Sequence, residues 1–363
     1  MQGSLVSGHN RYCLESQMPN AYTKRQHWVP QMYLRQWGGE NHLTVAIGDR
    51  ILERQRTINF AVQSRMYQFD DLTDVELRTF FDGISGTWNP NLPLVKVLLV
   101  PIVLNVLLFR VVKKDWTNAF AREFEQIQNS IDFDGKQAQA YELLIGLARG
   151  DIPYDDTKVS RMVDFVRDGF ESYHSAIENG TKEYFDRAVA GDLAFMKDDR
   201  VGQRFFLSYL YDQFFRTPKY LGIIERLDSL TSRTIGATPV LARYFRYFLP
   251  ILYTAFFLQQ RDRVKMMVVV NKSEHEFVTS DAPVVVYDKN EDGLPSITYF
   301  PLSPRSALLF GDRKKVNVFC SQIGRELVDV SYVDRLNREI VASCDKMVFA
   351  SSSRALRDAG CRG

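Results

Sequence analysis

The spacing of hydrophobic positions changes character along this chain. From about Asp74 to Gln260 apolar residues recur at intervals of three and four, in Phe120–Ile131, Lys136–Leu147, Lys158–Ile177, Val201–Phe215 and Leu241–Gln259. That spacing lines one face of a helix. Pro153, Gly180, Gly191, Pro218 and Pro239 punctuate the stretch and are read as helix breakers. On either side the pattern shortens. Leu43–Ile47 alternates and is rich enough in β-branched residues for a strand, and the charged stretch Asp49–Thr57 begins a second strand or a loop. Beyond Gln260, Val264–Val270, Glu276–Thr279, Pro283–Tyr287, Ile297–Phe300, Ala307–Phe310 and Val316–Phe319 read as short strands, with Asn271–Glu274 as a hairpin connection. A helix over Ser331–Cys344 and a last strand over Met347–Ala350 close the pattern.

These elements predict an α+β fold, a helical block inserted between a small N-terminal β element and a C-terminal antiparallel sheet. Residues 1–24 are expected to form a flexible leader and residues 352–363 a flexible tail. Between them a single domain is expected over 25–351, its helical middle at about 74–260 and its sheet at about 264–351.

Composition supports a packed core without pointing to a partner. Hydrophobic residues make up 45% and charged residues 25% of the 363 positions, which is globular usage. The 46 basic and 44 acidic residues leave a net charge of +2, so total charge argues for neither nucleic acid nor an anionic membrane. Short basic runs, Arg110–Lys114 and Arg313–Lys315, read as solvated faces. Cys13, Cys320, Cys344 and Cys361 lack the spacing of a zinc site, so no structural metal is expected. Reduced thiols in a cytoplasmic protein are the simplest reading. The first 26 residues hold no cationic region followed by an apolar stretch, and no secretory signal is expected. The apolar run Pro93–Phe109 is broken by Lys96, Pro101 and Asn105, and a membrane-spanning helix needs roughly 20 predominantly apolar residues. It is read as a buried core helix, and no transmembrane segment is expected.

Candidate chemistry is sparse. No GxGxxG follows a strand and no GxxxxGK[ST] occurs, which sets aside Rossmann dehydrogenases and P-loop enzymes. No HExxH or paired-histidine cluster is present, no Gly-x-Ser-x-Gly elbow surrounds Ser280, and no cofactor is indicated. What remains is His27, ahead of the turn-forming Pro30, and Asp281, between a strand-like run and Pro283. A histidine titrates near neutrality and needs a carboxylate to orient it as a general base. Asp281 is the candidate for that role, and its alternative reading is a turn carboxylate that binds backbone amides. Arg216 ends the apolar helix at Arg216-Thr217-Pro218, where a cation suits the helix dipole and can also bind phosphate or carboxylate. Ser303, in the bend Pro301-Leu302-Ser303-Pro304, and Asn337, in Asp334-Arg335-Leu336-Asn337-Arg338, are pocket-lining candidates whose plainer reading is turn and packing.

Taken in order, these strings resemble one family. His27-x-Val29-Pro30-x-x-Tyr33-Leu34, Arg216-Thr217-Pro218, Phe277-x-Thr279-Ser280-Asp281-x-Pro283-Val284, Phe300-Pro301-Leu302-Ser303-Pro304 and Leu336-Asn337 before Val348-Phe349 are similar to the domain of unknown function 4238 family, found mainly in bacteria and some fungi. The resemblance spans about residues 25 to 351. Trp37 stands where the family usually has phenylalanine, and Ala282 stands where it usually has asparagine, which removes a hydrogen-bonding side chain beside Asp281. The resemblance implies a shared fold and carries no established activity. It groups His27, Arg216, Asp281, Ser303 and Asn337 as matching the family's polar motif positions.

The first functional reading is an enzyme, a hydrolase or transferase on a phosphate-bearing substrate such as a nucleotide or nucleic acid. In it His27 is the general acid or base, Asp281 orients it or holds a divalent cation, Arg216 neutralises developing charge, and Ser303, Asn337 and Tyr33 contact substrate. The second is a ligand-binding or sensor module, of the kind used in bacterial defence or stress, with aromatic residues at 13% to wall a pocket. The third is that the motifs fasten the N-terminal turn to the C-terminal sheet.

Overall fold

The computed structural model describes residues 25–39, 42–64, 73, 76, 93–113, 135–223, 239–289, 295–324 and 326–362. In chain order the elements are β1 (Arg25–His27), α1 (Gln31–Leu34), β2 (His42–Ile47), β3 (Arg50–Arg56), β4 (Val62–Ser64), α2 (Pro93–Lys113), α3 (Gly135–Arg149), α4 (Asp156–Val189), α5 (Phe195–Asp198), α6 (Arg200–Phe215) and α7 (Pro239–Gln259). After these come β5 (Val264–Asn271), β6 (Thr279–Ser280), β7 (Val285–Lys289), β8 (Pro295–Ser303), β9 (Ser306–Asp312), α8 (Arg313–Ile323), β10 (Glu326–Leu327), α9 (Val330–Ser343), β11 (Met347–Ala350) and α10 (Ser353–Asp358). The fold is α+β, with a helical block between N-terminal strands and a C-terminal sheet. The helix predicted over Phe120–Ile131 lies outside the described residues.

Packing divides the chain into two compact units, one within residues 96–170 and the other within residues 24–95 and 171–363. In the first, α2 buries Ile102, Val103, Leu104, Val106, Leu107 and Val111, and α3 buries Ala140, Leu144 and Ile145. The apolar run is thus helical, and its described side chains from Ile102 onward lie in a core. Among the described residues no helix is long and apolar enough to cross a membrane.

The second unit holds the sheets. One has the order β10-β5-β9-β8-β7, antiparallel except for the parallel β10–β5 pair, and another has the order β3-β2-β11-β6. β11 pairs with both β2 and β6, so the N-terminal strands and the last strand build one sheet. Val269, Phe277, Tyr299, Leu309, Val316, Leu336, Ile340 and Leu356 share the core beneath. Burying each such side chain stabilises the fold by about 1.5–3 kcal/mol relative to exposure.

Four expectations are corrected. Val316–Phe319 is part of helix α8, because Asp312 caps the amides of Lys314 and Lys315 and Val316, Phe319 and Cys320 fall on one helical face against the core. Asn271–Glu274 is no hairpin, since β5 and β6 belong to different sheets; the Asn271 amide oxygen instead accepts from the Ser273 amide and hydroxyl and closes a local turn. Residues 352–362 are not a bare tail, for Ser352 caps α10 and Leu356 is fully buried. Gly180 does not break α4. A Cβ there would sit 2.4 Å from the Phe205 ring, and one at Gly202 would sit 2.3 Å from the Tyr184 ring, so the two glycines let α4 and α6 approach closely.

Candidate functional site

The opening motif is a set of ring anchors. Pro30 starts α1, the position where its missing N–H costs nothing, and the turn directs Tyr33 and Trp37 inward. The Tyr33 hydroxyl donates to the Pro301 carbonyl at 2.7 Å and lies 2.6 Å from Thr279 Oγ1, while its ring stacks on Phe300 at 5.0 Å. Burial holds this phenol well above its ordinary pKa, so it remains a neutral donor. Trp28 Nε1 donates to the Asp281 carbonyl at 3.2 Å and Trp37 Nε1 to the Phe277 carbonyl at 3.1 Å. The segment 28–37 is thereby fastened along 277–281.

The Asp281 carboxylate accepts the amides of Asp345, Lys346 and Met347 at 2.9, 2.9 and 3.1 Å, fixing the turn that leads into β11. Burial raises its pKa above the ordinary carboxylate value, and the Asp345 and Lys346 amides oppose that rise. Asn337 is fully buried on α9, accepting from the Val278 amide at 3.0 Å and donating to the Glu276 carbonyl at 2.7 Å. Ser303 Oγ lies 2.8 Å from Ser306 Oγ and accepts the Arg305 amide in the β8–β9 turn. His27, on β1, donates from Nε2 to the Ile58 carbonyl at 3.2 Å. No hydrogen bond joins His27 to Asp281.

Arg216 belongs to a second, buried constellation. Its Nε donates to the Trp28 carbonyl at 2.7 Å, and its Nη1 lies 3.1 Å from both Glu178 Oε1 and Asp212 Oδ2. His174 Nδ1 donates to the same Asp212 oxygen at 3.1 Å. Asp212 on α6 and Arg216 at its C-cap are one helical turn apart, while His174 and Glu178 are one turn apart on α4. Sequence reasoning missed His174, Glu178 and Asp212. The acid four residues before Arg216 was the available signal, for such pairs share a helix face.

A third feature is an open cleft of about 1000 Å³, lined by residues from the end of α4, α5, the end of α7, β5 and α8. Lys197, Arg261, Lys265 and Arg313 line it, against the acids Asp262 and Glu326. Three of these cations bond to neutral oxygens: Arg261 to Gln203, Arg313 to the Arg261 carbonyl at 2.9 Å, and Lys265 to Asn317 Oδ1 at 2.5 Å. None forms a salt bridge among the described residues. Of the basic run read from sequence, Lys315 pairs with Asp288 on the surface while Arg313 faces the cleft. Sequence gave no hint that these four positions meet, because they lie on separate elements. No group of three or more potential metal ligands gathers among the described residues.

No curated protein and no solved structure matches the chain. The family described as Protein of unknown function (DUF4238) matches residues 243–354, which hold Asp281, Ser303 and Asn337 but not His27, Tyr33 or Arg216. The matched part runs from α7 through β11, and it is this C-terminal part of the chain that is similar to that family.

Proposed function

We propose that this chain is a binding module for a phosphate-bearing ligand, a nucleotide or a nucleic-acid strand, held in the cleft between α5, β5 and α8. The observation that carries the reading is the convergence of Lys197, Arg261, Lys265 and Arg313 on one concavity with no carboxylate salt-bridged to them. Cations grouped this way repel one another unless an anion lies between them, and arginine forks match phosphate oxygens in pairs. A cleft of about 1000 Å³ is at the upper end of the roughly 300–1,000 Å³ common for small-molecule sites. That leaves room for a nucleotide or a short run of backbone.

Binding without turnover is the reading the geometry favours. The carboxylate and the imidazole that a hydrolase or transferase reading would employ, Asp281 and His27, are engaged by backbone amides and a backbone carbonyl. Thiols at positions 344 and 361 that form no disulfide among the described residues are in keeping with a reducing cytoplasm.

Fluorescence anisotropy with a labelled oligonucleotide, competed by mononucleotides and by inorganic phosphate, tests the reading. Binding should weaken as salt rises, because each phosphate contact releases a counterion. Lys197→Glu with Lys265→Glu should abolish it while leaving the melting temperature near wild type. Absence of binding at low salt, or binding indifferent to the double variant, would overturn the proposal. Competition by nucleotide alone, or by oligonucleotide alone, identifies the source of the phosphate.

A further inference from the structure

β5 meets the cleft along its edge. Lys265, Met266, Met267 and Val268 line the cleft in succession, although neighbouring side chains on a strand point to opposite faces of the sheet. One edge of β5 is taken by β9 along Val264–Val270, whereas on the other edge β10 reaches only Val270 and Asn271. The Arg263 carbonyl accepts the Arg313 amide, and the Asn271 amide donates to the Arg305 carbonyl, which continues the β9 pairing at both ends and fixes its phase. Odd-numbered residues of β5 therefore bond to β9, and even-numbered ones turn their N–H and C=O to the other edge. Lys272 does so in donating its amide to the Leu327 carbonyl on β10, and the Val264 amide is taken by the Gln260 carbonyl. Between these two ends, Met266 and Val268 turn their amides and carbonyls to an edge where they have no partner among the described residues.

We propose that this window on the β5 edge reads the nucleobase of the ligand whose phosphates the cleft cations hold, an inference that rests on the phosphate reading above. On a strand edge the carbonyl of one residue and the amide two residues on are neighbours. The Met266 carbonyl and the Val268 amide thus set an acceptor beside a donor, the complement of a base edge on which a donor N–H adjoins an acceptor nitrogen or oxygen. Leu193, Met196 and Phe257 line the same cleft and supply apolar surface for the faces of the ring. Asp262 and Glu326, which line the cleft near the two ends of the window, disfavour an anion against the edge itself and leave it to the uncharged part of the ligand. The length of the window decides against a peptide added as a further strand. Two residues of strand span about 7 Å, and the Gln260–Val264 turn stands at one end and β10 at the other. A strand of the usual length, about 5–6 residues, has no room to pair there, and a single ring has.

Competition of a labelled oligonucleotide by the common nucleoside triphosphates and by inorganic tripolyphosphate, on the full chain, tests the window. At least one nucleoside triphosphate should bind about tenfold more tightly than tripolyphosphate, the effect of one or two hydrogen bonds. Val268→Pro removes the amide where its N–H faces away from β9, a position at which an edge strand accepts proline. It should bring that nucleotide to the affinity of tripolyphosphate and leave tripolyphosphate unchanged. Should Val268→Pro fail to fold, amide hydrogen exchange in wild type carries the comparison: the nucleotide should slow exchange at Val268, and tripolyphosphate should not. Equal affinity for every nucleotide and tripolyphosphate would overturn this inference and leave the phosphate reading standing. A preference for nucleotide that survives Val268→Pro, or that leaves exchange at Val268 unchanged, would overturn it as well. Binding of neither ligand would defeat the phosphate reading itself and the window with it.

Discussion

Replacing Asp281 by alanine separates a structural role from a catalytic one. Its carboxylate, 1% exposed, accepts three backbone amides at 2.9–3.1 Å. A hydrogen bond to a charged group contributes about 1.5–3 kcal/mol, and three sharing one acceptor do not add in full. Removing the ion also recovers the cost of burying it, the cost that holds its pKa up. The expected net loss is therefore about 3 kcal/mol rather than the full sum. At about 2 °C per kcal/mol in a chain this long, that is a fall of about 6 °C in melting temperature. Asp281→Asn retains one carbonyl oxygen but turns an NH₂ group toward an amide donor, and should lose roughly half as much. The pH dependence gives a second reading. Because burial raises the folded pKa above the ordinary 3.8, the folded state binds the extra proton in the window above 3.8. Stability from this group falls as pH rises through that window. The margin of wild type over Asp281→Asn in urea unfolding should shrink there and level off beyond it. If Asp281→Ala melts at the wild-type temperature, the carboxylate does not hold the turn and the reasoning is refuted.

Tyr33→Phe removes a donor to Pro301 and the partner of Thr279 and should cost about 1–2 kcal/mol in urea unfolding, with stacking on Phe300 retained. His275 donates to Asp334 at 2.7 Å, and that bond, ahead of the charges of Asp334 and Asp358, raises its pKa above 6.5. Its contribution to stability is fully present below 6.5 and lost as pH rises through the folded value, so the unfolding midpoint should fall there in wild type and not in His275→Gln. Gly180→Ala forces a methyl to 2.4 Å from the Phe205 ring, and crowding of about 1–3 kcal/mol should outweigh the helix-propensity gain of about 1 kcal/mol, lowering the melting temperature.

The fold was largely legible because its periodicities are local. Met347–Ala350 and Leu43–Ile47 fall at β11 and β2 almost residue for residue, since alternation and β-branching act within a few positions. What sequence could not supply was pairing. That β11 lies between β2 and β6 depends on contacts between the two ends of the chain, which no local pattern encodes. Val316–Phe319 misled because a short apolar β-branched run is ambiguous, and the cap that decides it, Asp312, lies outside the run. The motif strings pointed to residues that the structure holds tightly. They did not point to His174, Glu178 or Asp212, which are unremarkable until two helices bring them together, nor to the cleft cations.

One residue joins the motif strings to one another. The Trp28 carbonyl receives Arg216 and its indole donates to the Asp281 carbonyl, so the helix end Arg216-Thr217-Pro218 and the strand Thr279-Ser280-Asp281 are joined through the opening motif. Asp281 then fixes the turn into β11, and Asn337 fixes the strand that precedes Thr279. Each string depends on the next for the partner of a buried polar group, and a change in one leaves a cost in another. With these groups engaged by one another, a ligand is to be sought at the cleft cations, whose charge no salt bridge among the described residues takes up.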